Sequence, residues 1–395
     1  MKFLYVSSVS KSRQYSGILK KVAGQTKGVS ELGWDAFYTC MEGDSVTLCK
    51  GDDTLQRETF PGGLRWRDRQ KTVADKICGF VENGKYDAVY IKGFLASPYA
   101  CKIAACAKKS NQKCRVIFEI ATYPYWGEYK RFLRVDCKKK DRRAFAGHML
   151  EICQHIMSVP HMKRAVDALA VFGQPAEKLW GIPVITIDNG VDVQKILLRR
   201  KADLPVDAAV QILGVAGTSV AHGYSRVIEG LALYKKSVNA KHDVKFDIVG
   251  ANETIEQLKS LVKELDLQEN VLFLGYKTSD ELSQLYNMCD VAVSSLGVYK
   301  LGLTYLCPLK SREYCAAGMP FLYAYEDTLP PDAPFAMKIP NNSSPVNIGD
   351  VVKFAENCRR NPEISVKERQ YAESHYDWKI IMKRVLDFAG ADDKE

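Results

Sequence analysis

Strand-length apolar runs alternate with longer amphipathic segments along most of this chain, and they do so in two separate series. In the first, "FLYVSS" (3–8) leads to a helical stretch over 17–32, "WDAFYTC" (34–40) to one near 71–82, and "YDAVYIKG" (86–93) to one near 98–109. "RVIFEI" (115–120) follows, and "HIMSV" (155–159) and "VITIDNG" (184–190) read as later strands. The pattern then restarts: "VQILGVAG" (210–217), "VKFDIVG" (244–250), "NVLFLG" (270–275) and "DVAVSS" (290–295), with helices expected at 223–237, 253–265 and 279–287. Continuous apolar strands separated by helices build a parallel sheet buried on both faces. At 395 residues the chain also exceeds what one core organises. The expectation is an α/β protein of two doubly wound, Rossmann-like domains, 1–190 and 191–375. Their junction falls at 188–206, where Asn-Gly, a basic pair and a proline separate the two series. The last helical pattern (377–390, within 376–395) is expected to pack back on the N-terminal domain. Ligands in open α/β sheets bind outside the carboxyl ends of the strands, so two such sheets facing each other would frame a central cleft.

A formal charge of +9 fits nucleic acid, an anionic membrane surface or phosphorylated substrates. Nucleic acid is the poorest of the three, since no recognition motif or interleaved aromatic platform accompanies the charge. Twelve cysteines include no C-x-x-C pair, so reduced thiols rather than a zinc or dithiol site are expected. The opening "MKFLYVSSVSKSRQ" has too short an apolar run for a signal peptide, and no apolar run is long enough to span a bilayer, which points to a cytoplasmic protein. "GFVENGKY" (79–86) imitates a P-loop but has Tyr86 in place of the magnesium-binding hydroxyl, and its glycines follow a helix instead of a strand. The absence of G-x-G-x-x-G argues against a nicotinamide or flavin enzyme.

Two stretches carry chemistry. In 210–230 a buried strand runs through a turn containing Gly217 into a helix opening near Gly223, a place where backbone amides meet phosphate oxygens, with His222 and Arg226 as cationic donors. In "PLKSREYCAAGMPF" (308–321) a helix starting near Lys310 would project Glu313 from its first turn. A carboxylate there is stabilised by the helix dipole by about 0.3–1 kcal/mol. The dipole leaves unexplained why Lys310 and Arg312 share that end, where cations are disfavoured. Cations so placed invite an anion, and a neighbouring carboxylate can accept hydrogen bonds from the vicinal diol of a ribose.

"LKSREYCAAGMPF" resembles the donor-site motif of retaining GT-B glycosyltransferases of the group 1 (family 4-like) type. "AHGYSRVIEGLALY" (221–234), "EIATYPYWGEY" (119–129), "FGQPAEKLWGIPVITIDNGVDV" (172–193) and "SLGVYKLGL" (295–303) are similar to further segments of a bacterial polysaccharide-biosynthesis branch, in the same order. The resemblance implies a GT-B fold, no metal and no cofactor beyond a UDP- or GDP-sugar donor, and an acceptor that is a glycan or a lipid-linked saccharide. It implies that Glu313 binds the ribose, with Leu309, Ser311, Arg312, Gly17, Gly217 and Gly223 at the nucleotide diphosphate. His222, Arg226 and Lys310 would stabilise the leaving group, and Glu119 would act on the acceptor side beside Tyr123, Tyr125 and Glu128. Departures are Ala221 for tryptophan, Ser225 for aspartate, Tyr299–Lys300 for His-Arg, and Leu306 where the wider group has a second glutamate. Those departures keep open a non-catalytic sugar-nucleotide or glycan-binding protein on the same fold. Finally, "YKRFLRVDCKKKDRRAF" (129–145) sets eight basic residues against two acidic ones. It reads as a solvated face or, through 130–143, as a peripheral contact with an anionic leaflet.

Overall fold

The computed structural model describes residues 1–12, 16–93, 95–200, 205, 208–215, 220–238, 240, 242–250 and 253–391. The chain divides into two compact units, Met1–Gly190 with Asp377–Glu395, and Val191–Tyr376.

The first unit contains β1 (Lys2–Val6), α1 (Ser16–Ser30), β2 (Asp35–Glu42), β3 (Ser45–Lys50), β4 (Asp53–Thr59), α2 (Trp66–Gly84) and β5 (Ala88–Gly93). It continues through α3 (Pro98–Ser110), β6 (Arg115–Tyr123), α4 (Trp126–Lys139), α5 (Arg142–Ala165), β7 (Ala168–Gly173), β8 (Lys178–Leu179) and β9 (Ile182–Ile187). Its sheet runs β4-β3-β2-β1-β5-β6-β7-β9-β8. The six strands from β2 to β9 pair in parallel, and the β3–β4 hairpin and β8 add antiparallel edges. One face packs on α2, α3 and α5 through Val89, Ile91, Val116 and Phe118. The other receives α1.

"HIMSV" is not a strand: residues 155–159 lie inside α5, and the strand that follows is Ala168–Gly173. A short apolar run fits a buried helix turn as well as a strand. Here His155, Ser158 and Met162 recur at helical spacing and are buried.

The second unit contains β10 (Val210–Val215), α6 (Ser225–Lys235), β11 (Val244–Val249), α7 (Glu253–Glu264), β12 (Val271–Gly275), α8 (Ser279–Met288) and β13 (Val291–Val293). α9 (Leu309–Ala317), β14 (Phe321–Tyr323), β15 (Ala336–Lys338), α10 (Ile348–Arg360) and α11 (Glu363–His375) complete it. The sheet is wholly parallel in the order β12-β11-β10-β13-β14-β15. α6 and α10 cover one face, and α8, α9 and α11 the other.

The chain's last helix, α12 (Trp378–Phe388), packs on α1 in the first unit. Two glycines of α1 make room for it. A Cβ on Gly24 would lie 2.6 Å from the Trp378 ring, and one on Gly28 would lie 2.7 Å from the Trp378 backbone. Backbone cannot yield as a side-chain tip does, so Gly28→Ala is expected to destabilise the first unit by about 1–3 kcal/mol. Urea unfolding should show the loss, and hydrogen exchange should accelerate selectively over 378–388.

Candidate functional site

In the second unit the strand order reverses between β10 and β13, which is where open α/β sheets place ligands. The segments leaving these two strands touch backbone to backbone. Leu296 N donates to His222 O at 3.1 Å, and Gly297 N donates to Ala221 O at 2.9 Å. Gly223 has φ +63°, and a Cβ there would meet Gly297 N at 2.6 Å; a Cβ on Gly297 would meet Val220 O at 2.3 Å. Glycine is required at both places, by conformation at the first and by proximity at both.

This contact presents His222 to the start of α9. Lys310 Nζ lies 2.9 Å from His222 Nδ1, and the imidazole stacks on Tyr224 with centroids 5.8 Å apart. An ammonium only donates, so with Lys310 charged Nδ1 accepts and the imidazole proton sits on Nε2. Burial pushes the Lys310 ammonium down to about 7. Among the described residues no side-chain hydrogen bond caps α9, whose residue before the first turn is Pro308. Its leading amides therefore belong to the donors that helix starts offer to anions.

Glu313 is the fifth residue of α9, beyond the first turn, so the dipole reading of this carboxylate does not apply. It follows Lys310 by three residues, which puts both on one helix face. Its charge raises the hydroxyl pKa values of Tyr286 and Tyr314, behind the larger effect of burial. Gly318 closes the helix at φ +65°, with Gly318 N on Cys315 O and Met319 N on Tyr314 O. The Glu-to-Gly spacing of five is thus the remaining length of a nine-residue helix.

Four of the expected site residues are occupied elsewhere. Arg312 is fully buried and grips Asp327 with both ends of its guanidinium, at 2.7 and 2.6 Å, with its carbon 4.3 Å from the Tyr376 ring centroid. It is a core ion pair and does not face a diphosphate. Ser311 is buried too, and its hydroxyl donates to Pro308 O at 2.9 Å. Arg226 donates from Nε, Nη1 and Nη2 to the carbonyls of Ser344, Leu296 and Pro340 at 2.7, 2.6 and 3.0 Å, so its fork ties loops together.

Glu119, in β6 of the first unit, is buried under four donors: Lys21 and Lys92 at 3.1 Å each, and the hydroxyls of Tyr5 and Tyr90 at 3.0 and 2.9 Å. Burial alone would raise its carboxyl, but Lys21 and Lys92 outweigh it and hold the group well below the carboxylate range. It anchors the first unit's core, with no face left for an acceptor.

Gly17 lies exposed in the first turn of α1 with open space around it. Leu309 is the partly buried first residue of α9. Gly217 lies outside the described residues, as does the side chain of Glu128. Tyr123 ends β6, and the Tyr125 hydroxyl accepts from Trp180 Nε1 at 2.9 Å. The sequence reading missed Tyr224 and Gly297 as supports of His222, and only the "SLG" of the 295–303 segment marked the latter.

This architecture is of the GT-B class, two Rossmann-like units each built on a parallel sheet. A glycosyltransferase from Rickettsia africae ESF-5 shares it with a TM-score of 0.61 at 13% identity, over 100% of this chain and 99% of its own. A trehalose-6-phosphate synthase does so with a TM-score of 0.60 at 10% identity, over 99% of both chains. Residues 202–324 match the family model of the glycosyl transferases group 1. An uncharacterized glycosyltransferase of Methanocaldococcus jannaschii is 28% identical over 180 residues, 43% of this chain. That match spans 42% of the relative's length. His222, Gly223, Lys310 and Glu313 all fall inside the segment matched by the family model.

Removing one partner from a buried ion pair strands the other charge. Arg312→Ala is therefore expected to lower stability by about 3–5 kcal/mol, read by chemical denaturation. Asp327→Asn strands the Arg312 charge in turn and sets an NH2 group against one of its donors, so it should cost a comparable amount.

Proposed function

We propose that the chain transfers a glycosyl group from a UDP- or GDP-sugar to a hydroxyl of a glycan or lipid-linked saccharide, in bacterial surface-polysaccharide assembly. The observation that carries this reading is the Lys310–His222 pair at the start of α9, with Glu313 one turn along the same face. In the reaction the bond from the anomeric carbon to the diphosphate oxygen breaks, and a bond from that carbon to the acceptor oxygen forms. The acceptor's proton goes to the departing phosphate oxygen. The charge that grows on the leaving diphosphate is met by the Lys310 ammonium, the His222 Nε2–H and the first amides of α9. Fixed donors aimed at developing charge are commonly the largest catalytic contribution. Glu313 accepts the two ribose hydroxyls. The resemblance to the retaining group 1 enzymes supports departure of the leaving group on the face the acceptor attacks, with retention of configuration. The protein's own cations do the neutralising, so turnover is expected to survive EDTA.

The basic run places Lys138, Lys139, Lys140, Arg142 and Arg143 on the surface at the α4–α5 turn. Among the described residues no helix is long and apolar enough to cross a membrane. We assign this turn to peripheral contact with an anionic leaflet, each basic residue contributing about 1 kcal/mol. Replacing Lys138, Lys139 and Lys140 together by Glu should release the protein from phosphatidylglycerol vesicles in sedimentation. High salt should do the same to the wild type. Equal sedimentation of the variant would remove the membrane from this reading.

Thermal shift with UDP and GDP should identify one stabilising nucleotide. Lys310→Gln and Glu313→Ala should each weaken it about 10-fold or more, as expected for loss of a hydrogen bond to a charged group. Wild-type affinity in both variants would refute the site. Slow release of nucleoside diphosphate from the matching sugar donor separates a transferase from a binder that kept the fold.

Affinity should also depend on pH. With Lys310 titrating near 7, the ammonium is present below that pH, and above it binding must first take up a proton. The dissociation constant should therefore rise by up to about tenfold per pH unit above 7, and this slope should vanish in Lys310→Gln.

A further inference from the structure

The first unit has a reversal of its own, between β1 and β5, and an open cavity of about 340 Å³ lies at the carboxyl ends of those two strands. Its floor is branched and aromatic hydrocarbon: Val6, Ile91 and Phe118 from the strands, Val73 and Ile77 from α2, and Ile103 from α3. Trp66 and Gln70 of α2, Ser97 and Tyr99 at the start of α3, and Gln154 of α5 stand around it. The two charged side chains that line it are both engaged. Lys92 holds Glu119 at 3.1 Å, and Glu151 accepts from the Tyr129 hydroxyl at 2.9 Å.

A phosphate would find no disengaged cation among these lining residues. A sugar placed on that floor would lose its water without replacement hydrogen bonds, which burial penalises by kilocalories per group. A hydrocarbon chain fits the floor, and a polar head fits the amides and aromatic faces around it. The same two helices that supply Tyr129 and Gln154, α4 and α5, also point to the chain's source. On α5 the buried His155, Ser158 and Met162 define an inward arc. Phe145, Met149, Ile156 and Met157 lie outside that arc and are exposed, the last two by 62% and 64%. Phe145 and Met149 follow the basic α4–α5 turn within two helical turns, and together with Ile156 and Met157 farther along α5 they have the composition of a surface that rests on an anionic bilayer.

We propose that this cavity takes the hydrocarbon chain of an amphiphilic acceptor, so that of the two acceptor classes the lipid-linked saccharide is the substrate. That the ligand is an acceptor rests on the transferase reading above.

The probe is n-decyl β-maltoside below its critical micelle concentration, with maltose as the control, titrated into the full chain by calorimetry. Saturable binding of the decyl glycoside and at least tenfold weaker binding of maltose are expected. Ala74→Leu and Ala100→Leu, which fill the cavity from α2 and α3, should each weaken the decyl glycoside at least tenfold. Retained UDP or GDP binding shows that a variant is folded. Equal binding of maltose would make the cavity a sugar site, and undiminished binding of the decyl glycoside in both variants would move it elsewhere. Either result, or no binding at all, overturns the proposal. Loss of the cavity result with nucleotide binding intact leaves the transferase reading standing. The decyl glycoside binding as proposed, with neither nucleotide bound, would keep the lipid site and remove the transferase reading that makes its ligand an acceptor.

Discussion

The backbone contact between the segments leaving β10 and β13 is the constraint on which the candidate site depends. With Gly223 at positive φ and Gly297 against Val220 O, the two segments approach more closely than any side chain permits, and two main-chain hydrogen bonds hold them together. Arg226 fastens the same contact through Leu296 O. His222 is consequently fixed by the ends of two central strands, and α9 has only to bring Lys310 to it. A donor held by rigid elements meets developing charge without reorganising, which is what electrostatic stabilisation requires of it.

Desolvation then sorts residues that look alike in the sequence. Lys310 and Arg312 are two positions apart, and successive residues turn by about 100° on a helix, so the two point to nearly opposite sides of α9. Lys310 meets an imidazole, and its charge is weakened by burial. Arg312 is driven into the core, where the charge survives because Asp327 answers it bidentately. Glu119 obeys the same rule in the first unit. The parallel register aligns Lys92 beside it and Tyr90 beside Tyr5, and the network that results is a structural one.

Helical angle was available from the sequence and would have separated Lys310 from Arg312 before any coordinates. The alternation of strands and helices was legible because parallel strands buried on both faces leave continuous apolar runs, as at 88–93 and 210–215. The β3–β4 hairpin was not, because β4 is almost wholly exposed and carries no apolar run. β14 and β15, at three residues each, are too short to show a period. "HIMSV" misled for the opposite reason, an apolar run whose burial is on one helical face only. Burial partners were the least legible feature of all. Nothing near Arg312 or Arg226 in the chain announces that Asp327 or the carbonyl of Pro340 will saturate it.

The two units place a candidate site at the same topological position, the strand reversal, and line it with opposite chemistry. In the second unit the reversal gathers a lysine, an imidazole, a carboxylate and the leading amides of α9; in the first it gathers branched aliphatic side chains with every lining charge engaged. The topology therefore determines where a ligand sits and leaves its class to the few residues at the strand ends. A diphosphate is disfavoured in the first unit's cavity by the want of a disengaged cation among its lining residues, and a hydrocarbon chain at the second unit's site by the cost of burying Lys310 and Glu313 beneath it. Neither preference depends on the likeness to glycosyltransferases, since each follows from what the lining atoms can exchange for water.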